Sequence, residues 1–541
     1  MSVIFNNPMH RFLWLGRLTP GLWTRHFRPA RTEYIKHSLS PLLELISSNP
    51  NTPIILANMS STTTDQQPIE TRLFINGEFQ PATSGKTFKL INPYTHEPVA
   101  DVHEASEQDV DKAVAAAKAA FPAWRDLTPD DRGVYLRKLS SLIKENIPEL
   151  ARLESISMGK PVSLYIDGKM AADTFAYFAE TGWHAQGTSS VNTPGVLGLS
   201  LRQPYGVVGA IIPWNVPLAL FSFKVAPALA AGNTVVLKSS EKAPLTSAFA
   251  AKLIAEAGFP PGVVNIISGF GNPAGSAIAS HMDVRCLSFT GSTATGQKIQ
   301  IAAAKSNMKV VHLELGGKTP AIIFEDADIE KAAEKTQFSI HFTSGQTCFA
   351  NSRIYVQESV ADKFISMFKE KFGAAAHMGN PLEPTTNHGP QADNIQYERV
   401  KSYLEIGETD GKLTLGGDGG KGFIKPTVFE NVPDDSRLMK EEVFGPVVAI
   451  NTFKTEEEAI ERANASEFGL YASVFTKDMD RAVRLSKLLE AGTVGVNCTS
   501  PSMVKDMPMG GYKQSGLGRE GLLSGLDSYL ETKTVLISTS S

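Results

Sequence analysis

Three cysteines in 541 residues are far too few for a disulfide scaffold. Cys286, Cys348 and Cys498 therefore fit a reducing compartment, and each thiol needs its own explanation. Long apolar runs are missing too. The most apolar stretch, Val207 to Phe221, is interrupted by Pro213, Asn215 and Pro217, so no membrane span is expected. Basic residues have no excess: 52 Lys and Arg against 56 Asp and Glu leave a net charge of −4, which argues against a nucleic-acid partner. Internal repeats and long low-complexity tracts are likewise lacking. What is present is the composition of an ordinary enzyme, 42% hydrophobic and 20% charged, on a chain too long for one core. Two or three domains are expected.

The first 58 residues differ from the rest. Arg11, Arg17, Arg25, Arg28 and Arg31 occur before Thr32 without a single acid, interleaved with Phe12, Leu13, Trp14, Leu22 and Trp23. That pattern is the signature of a mitochondrial transit peptide. Against it, Pro8, Pro20, Gly21 and Pro29 break the amphipathic helix such a signal uses, and Met59 opens a polar stretch that reads as a natural start. Both readings stand, one implying the mitochondrial matrix and the other the cytoplasm; a disordered extension fits either.

Folded patterning begins near Thr71, where Leu73, Phe74 and Ile75 precede the turn Asn76-Gly77, a hairpin signal. A helix is predicted from Ser106, with Asp109 completing a capping box and Val110, Val114, Ala117 and Phe121 forming the apolar face. From Tyr205 onward, short apolar runs at Val207–Ile212, Thr234–Leu237, Val263–Ile267, Val284–Phe289 and Val310–Leu313 alternate with helical stretches. One of those helices follows Pro244 and stops at Gly258. The alternation resumes with Ala321–Phe324, Arg353–Val356, Val447–Ile450 and Thr493–Val496. A helix after Ser359 places Val360, Phe364, Phe368 and Phe372 on one side and is predicted to end at Gly373. Apolar strands between helices mean parallel sheets covered on both faces, so the fold class is α/β, with two such domains meeting near Gly316-Gly317.

Several residues stand out chemically. Cys348 lies in a polar, glycine-containing loop, Phe342-Thr-Ser-Gly-Gln-Thr-Cys348, whereas Cys286 and Cys498 lie at or beside strands and read as inert. Cys348 is either one more inert thiol or a nucleophile. Glu314 ends an apolar strand, where a carboxylate is paired, solvated or used. Asn215, bracketed by Pro213 and Pro217, is a turn former or a preorganised amide donor. Gly291-Ser292-Thr-Ala-Thr-Gly296 follows a strand and opens a helix, an arrangement that packs a helix or cradles a phosphate. Lys238 and Glu241, three residues apart at another strand end, form a surface ion pair or grip ribose hydroxyls.

Jointly these pieces resemble the aldehyde dehydrogenase superfamily. Pro213-Trp-Asn215, Lys238-x-x-Glu241, Gly291-Ser-Thr-x-x-Gly296, Glu314-Leu-Gly-Gly-Lys318, Gly345-Gln-x-Cys348, Glu442-Val-Phe444-Gly-Pro446 and Gly510-Gly-Tyr-Lys513 follow the family's order from about Thr71 onward. The resemblance implies an NAD-dependent enzyme oxidising an aldehyde to a carboxylic acid. Cys348 looks like the nucleophile, Asn215 and the Cys348 amide like the oxyanion donors, and Glu314 like the base that activates water. Lys238 and Glu241 resemble the adenosine-ribose pair, and Gly291, Ser292 and Gly296 the turn beside the phosphates and nicotinamide. Glu442 and Phe444 resemble the grip on the nicotinamide ribose and ring, with Trp214 lining the groove. A carboxylate at Glu241 would repel a 2′-phosphate, favouring NAD over NADP. No metal is implied.

The implied architecture is a Rossmann-like NAD-binding domain (59–182 and 206–316), a catalytic domain (317–512) and a small β oligomerisation element (183–205 and 519–541). In that element Val191 to Leu201 matches the family's protruding hairpin and Thr532–Ile537 the strand completing it. Exposed edges of that kind pair with another subunit, implying a homodimer or homotetramer. Departures fall around the implied substrate tunnel, bordered by His341, Phe342, Thr347 and Phe349: Phe349 is bulkier than the family's usual residue and His341 replaces an aromatic or aliphatic one. Thr319 also departs, and the loop Thr499 to Met507, an implied tunnel rim, matches no family pattern. The small-molecule aldehyde is therefore unspecified. A CoA-acylating relative generally lacks the carboxylate found here as Glu314, a non-catalytic paralogue would lose the thiol or its partners, and a thiol hydrolase would need an oriented histidine.

Overall fold

The computed structural model describes residues 68–539 apart from 503 and 505, so the Arg-rich extension and both readings of it lie outside the described residues. Leu73–Ile75 and Glu78–Gln80 pair antiparallel through Asn76 and Gly77, whose φ values of 56° and 84° suit a two-residue hairpin turn. Helix Glu107–Arg125 carries the predicted capping box between Ser106 and Asp109. Val110, Val114 and Ala117 are fully buried, and Phe121 half-buried.

Five parallel strands form the centre of the first sheet, in the spatial order Val264–Ile267, Thr234–Lys238, Val207–Ile211, Val284–Thr290, Val310–Glu314. By chain order that is 3-2-1-4-5, the order of a dinucleotide-binding sheet, and it reverses between Val207–Ile211 and Val284–Thr290. Ligands of such sheets lie beyond the carboxyl ends of the strands at the reversal. Helices Pro129–Glu145, Asp167–Thr181 and Pro217–Ala230 cover one face; Glu107–Arg125 and Thr293–Lys305 cover the other. Gly516–Leu517 adds an antiparallel edge strand, from a part of the chain far from the other strands.

The second sheet runs Lys412–Gly420, Phe423–Glu430, Val447–Phe453, Arg353–Gln357, Pro320–Ile323, Tyr471–Phe475, Thr493–Val496, and only the first pair is antiparallel. Gly316 and Gly317 lie between the two sheets' adjoining strands. Helix Ala361–Ala375 buries Phe364, Phe368 and Phe372 as expected but runs past Gly373, and Val360 sits in the short turn before it. Gly373 lacks a left-handed backbone, so nothing stops the helix there.

A third, small sheet pairs Leu530–Ser538 with Val196–Pro204 over nine residues, and Ser189–Ser190 adds a short outer strand. Along Leu530–Ser538, Leu536 is 72% exposed, so this edge presents an unpartnered apolar side chain. Among the described residues, no helix is long and apolar enough to cross a membrane.

Candidate active site

Glu314 is the final residue of its strand, which sets it at the carboxyl edge of the first sheet. Asn215 follows Val207–Ile211 at the same edge and is held just before Pro217, the first residue of helix Pro217–Ala230. Cys348 arrives from the second sheet's side, on the loop between helix Ile329–His341 and strand Arg353–Gln357. That loop is unusual. Thr343, Ser344 and Gly345 have φ of 51°, 53° and 74°, and each non-glycine in this region costs about 1–3 kcal/mol. Surrounding bonds hold the turn in place: Ser344 Oγ donates to the Gly389 carbonyl at 3.0 Å, and the Ala392 amide donates to Gln346 Oε1 at 2.9 Å. At Gly345 a side chain is excluded, because a Cβ would lie 2.1 Å from the Gly445 carbonyl carbon.

The result brings the three groups together. Cys348 Sγ lies 3.7 Å from Glu314 Oε1, the thiol donating. Asn215 Nδ2 donates to the carbonyl of Gln346, two residues before the cysteine, at 2.9 Å. Thr290 Oγ1 donates to the other Glu314 oxygen at 3.3 Å. Burial, reinforced by the charge of Glu520, pushes the Glu314 carboxyl up to about 7, against the opposing pull of Lys224. Burial also raises the Cys348 thiol well above its ordinary range, helped by Glu314 and Glu442, while its own amide pulls the other way. With the thiol held well above its ordinary range, the sulfur keeps its proton and directs it at the carboxyl. A thiol beside a carboxyl titrating near 7 is suited to passing that proton on demand.

The remaining residues make contacts of their own. Lys238 is buried, and among the described residues its ammonium donates to the neighbouring Ser239 carbonyl alone, at 2.8 Å. Burial pulls it down to about 8, with Glu241 opposing. An amine so placed, with a carboxylate three residues on, has unused donors for the hydroxyls of a ribose. The Gly291 amide is already used, donating to the Glu314 carbonyl at 3.1 Å, so it is the first turn after the Ser292 cap that offers amides to a phosphate. Gly296 packs against Leu315, where a Cβ would meet Cδ2 at 2.6 Å. Glu442 Oε1 accepts the Gly317 amide at 2.9 Å, and burial raises its carboxyl to about 7. Phe444, at φ 62°, meets the Trp214 ring edge-on at 5.3 Å. Lys242 Nζ lies over that indole at 5.3 Å and pairs with Asp393. The donors, carboxylates and aromatic wall fit a dinucleotide.

The tunnel residues separate. Thr347 and Phe349 flank Cys348 in sequence, and the ring of Phe349 faces Tyr471 at 6.5 Å. Phe342 packs on Phe338 at 6.0 Å. His341, expected beside the substrate, instead stacks on His388 at 5.2 Å and meets core Phe372 edge-on. The helix period explains this: Ile329, Ala333, Thr336, Gln337 and Ile340 all face inward, and position 341 extends that buried face. Thr499 and Ser500, from the rim loop, are buried and bonded to Asn351 and Phe349 backbone or side-chain oxygens.

Two residues with electrical influence on Glu314 escaped the sequence reading. Lys224 is wholly buried and pairs with Glu520 at 2.6 Å, while Ser288 accepts from the same ammonium at 3.2 Å. A lysine inside the otherwise apolar helix Pro217–Ala230 was a visible signal. Glu520 lies 296 residues away and carried none.

Residues 79–535 match the model of the aldehyde dehydrogenase family. An aldehyde dehydrogenase of Davidiella tassiana is 48% identical over 480 residues, covering 87% of this chain and 96% of that one. Retinal dehydrogenase 2 of Gallus gallus is 46% identical over 488 residues, covering 88% and 94%. The NAD+ complex of the aldehyde dehydrogenase from Bacillus cereus superposes with a TM-score of 0.85 at 42% identity, covering 87% and 97%.

Proposed function

The chain belongs to the aldehyde dehydrogenase family, and we propose that it oxidises its aldehyde through a covalent adduct on Cys348, released as the carboxylic acid by water that Glu314 activates. That it is an NAD-dependent aldehyde dehydrogenase, converting an aldehyde to an acid, follows from the family. The observation carrying the finer reading is the meeting of Cys348 Sγ, Glu314 and Asn215 at the join of two sheets.

Each residue has a physical task. An aldehyde does not give up hydride until a nucleophile makes its carbon tetrahedral. Cys348 sulfur forms that bond, and its thiol proton passes to Glu314, which it already faces. Asn215 Nδ2 and the Cys348 amide hold the resulting oxyanion, so the Gln346 carbonyl releases the Asn215 donor when substrate is bound. NAD, when bound, accepts the hydride. Glu314 releases the thiol's proton to solvent and then takes one from water as water attacks the thioester carbon; the C–S bond breaks, the acid leaves, and sulfur recovers that proton from Glu314. Lys238 and Glu241 hold the adenosine ribose, Ser292 and its helix start the phosphates, and Glu442, Phe444 and Trp214 the nicotinamide end. Phe342, Thr347 and Phe349 border the substrate.

We assign residues 68–182 and 206–316 to NAD binding, 317–512 to catalysis, and the sheet of Val196–Pro204 with Leu530–Ser538 to assembly of a homodimer or homotetramer. The deciding experiment follows NADH formation by the purified protein over a panel of aliphatic, aromatic and amino aldehydes, repeated with Cys348→Ala. Full activity in that variant refutes the covalent route.

A further inference from the structure

A second pocket lies among residues that the reaction does not use. Pro320, Arg353 and Tyr471 begin three neighbouring strands of the second sheet, and Lys318 lies two residues before the first of them. With Ala463 and Leu470 they line a pocket with room for about one water-sized group. Lys318 and Arg353 are each 2% exposed, so two cationic side chains are buried side by side.

Buried charges are normally paired with a charge of opposite sign. Here neither is. The Arg353 guanidinium donates to the carbonyls of Lys318 at 2.9 Å, Arg462 at 3.2 Å and Ala463 at 3.0 Å, and to the Tyr355 hydroxyl at 3.5 Å, all of them neutral. The carboxylates nearest in effect to Lys318 are occupied elsewhere. Glu442 accepts the Gly317 amide, and Glu441 holds Arg437 at 2.9 Å and the Tyr403 hydroxyl at 2.7 Å. Glu490, on the pocket's rim, is exposed and paired with Lys513. Among the described residues, then, the two cations have no ion-pair partner. Burial and the nearby guanidinium together pull Lys318 down to about 7. A lysine stays charged in such a place only if negative charge is delivered to it.

We propose that this pocket is a binding site for one compact monovalent anion with the chemistry of chloride, held between the Lys318 ammonium and the Arg353 guanidinium. The small space favours a single-atom anion over sulfate, phosphate and organic carboxylates, whose oxygens extend further. The inference stands on the two unpaired cations and the pocket, and is independent of the covalent mechanism.

Bromide, a heavier halide, is the direct probe. Crystals of the full chain soaked in sodium bromide should show an anomalous peak between Lys318 Nζ and the Arg353 guanidinium. In solution, unfolding followed in sodium chloride should show a saturating rise in Tm of about 2 °C or more over sodium gluconate at equal ionic strength. Lys318→Met should abolish that difference, and Lys318→Arg should keep it. A water or nothing in the bromide map overturns the proposal, as does electron density for a group covalently joined to Nζ. So does an equal response to chloride and gluconate, or a chloride response unchanged in Lys318→Met. The crystal measurement uses the native chain, so it decides the matter even if Lys318→Met fails to fold.

Discussion

Cys348 Sγ and Glu314 Oε1 face each other at 3.7 Å, one delivered by a strained loop and the other by the end of a parallel strand. The contact makes the acidity of each group depend on the other. It also places the proposed base where it can serve both ends of the proposed two-step reaction.

Glu314→Gln keeps the shape and a hydrogen-bonding oxygen but removes the proton acceptor. The expected outcome is a burst of about one NADH per site, then steady turnover slowed roughly 10²–10⁴-fold. Intact mass should show the acyl group parked on the protein during turnover. An undiminished steady rate means Glu314 is not the base.

The pH profile should follow the same carboxyl. Because Glu314 is raised to about 7, kcat should climb as pH passes that value and the base sheds its proton. The carboxyl's share of the stability moves the other way. Between about 4.5 and about 7 the folded carboxyl keeps a proton that the unfolded chain releases, so the stability contributed by Glu314 falls as pH rises across that window. The buried His341 and His388, both pulled down, contribute in the opposite direction. Each unit of raised pKa corresponds to about 1.4 kcal/mol, and Glu314→Gln should flatten the fall in part, since Glu442 is raised similarly and remains. Denaturant unfolding at pH 5 and pH 8, with and without the substitution, measures the slope.

Thiol labelling tests the electrostatics without turnover. Iodoacetamide should modify Cys348 slowly at neutral pH and faster as pH rises, because the thiol is raised above its usual range. At pH 8.5 Glu314→Gln should react several-fold faster than wild type, since a facing negative charge is gone. Peptide mapping should find fully buried Cys286 unlabelled throughout. Slower labelling in the variant would show that Glu314 aids thiolate formation more than its charge opposes it.

Asn215→Ala should lower kcat/KM by 10²–10³-fold, equivalent to about 3–4 kcal/mol for one lost oxyanion donor. Fluorescence titration with NAD should be little changed, because Asn215 bonds the Gln346 carbonyl and not the groove residues. Equal losses in both measurements would mean a general structural defect.

For Glu241→Ser, the ratio of kcat/KM with NADP to that with NAD should rise at least tenfold, about 1.4 kcal/mol, as repulsion of a 2′-phosphate is removed. An unaltered ratio would take Glu241 away from the ribose.

Much of this was legible before any coordinates. The strands Val207–Ile211 and Val310–Glu314 announced themselves as short β-branched runs, and the capping box at Ser106 marked a helix to the residue. Other parts had no local signature. Strand Lys412–Gly420 pairs with Phe423–Glu430, yet its glycines at 416, 417, 419 and 420 give no strand pattern, and the pairing is irregular where they fall. The pairing of Lys224 with Glu520 belongs to the tertiary fold, since no period in the sequence links them. His341, assigned to the tunnel border by the family resemblance alone, lies on the buried face of its helix and stacks on His388, a placement that the helix period carries and the resemblance does not.

Gly516–Leu517 closes one side of a sheet whose neighbouring strand, Val310–Glu314, leaves the ribosome about 200 residues earlier. At 5–20 residues per second, that edge waits on the order of 10–40 s for its cover. During the wait, the strand that ends in Glu314 offers bare amides and carbonyls to any passing extended peptide, so a nascent chain of this design has reason to recruit a chaperone before its synthesis is finished.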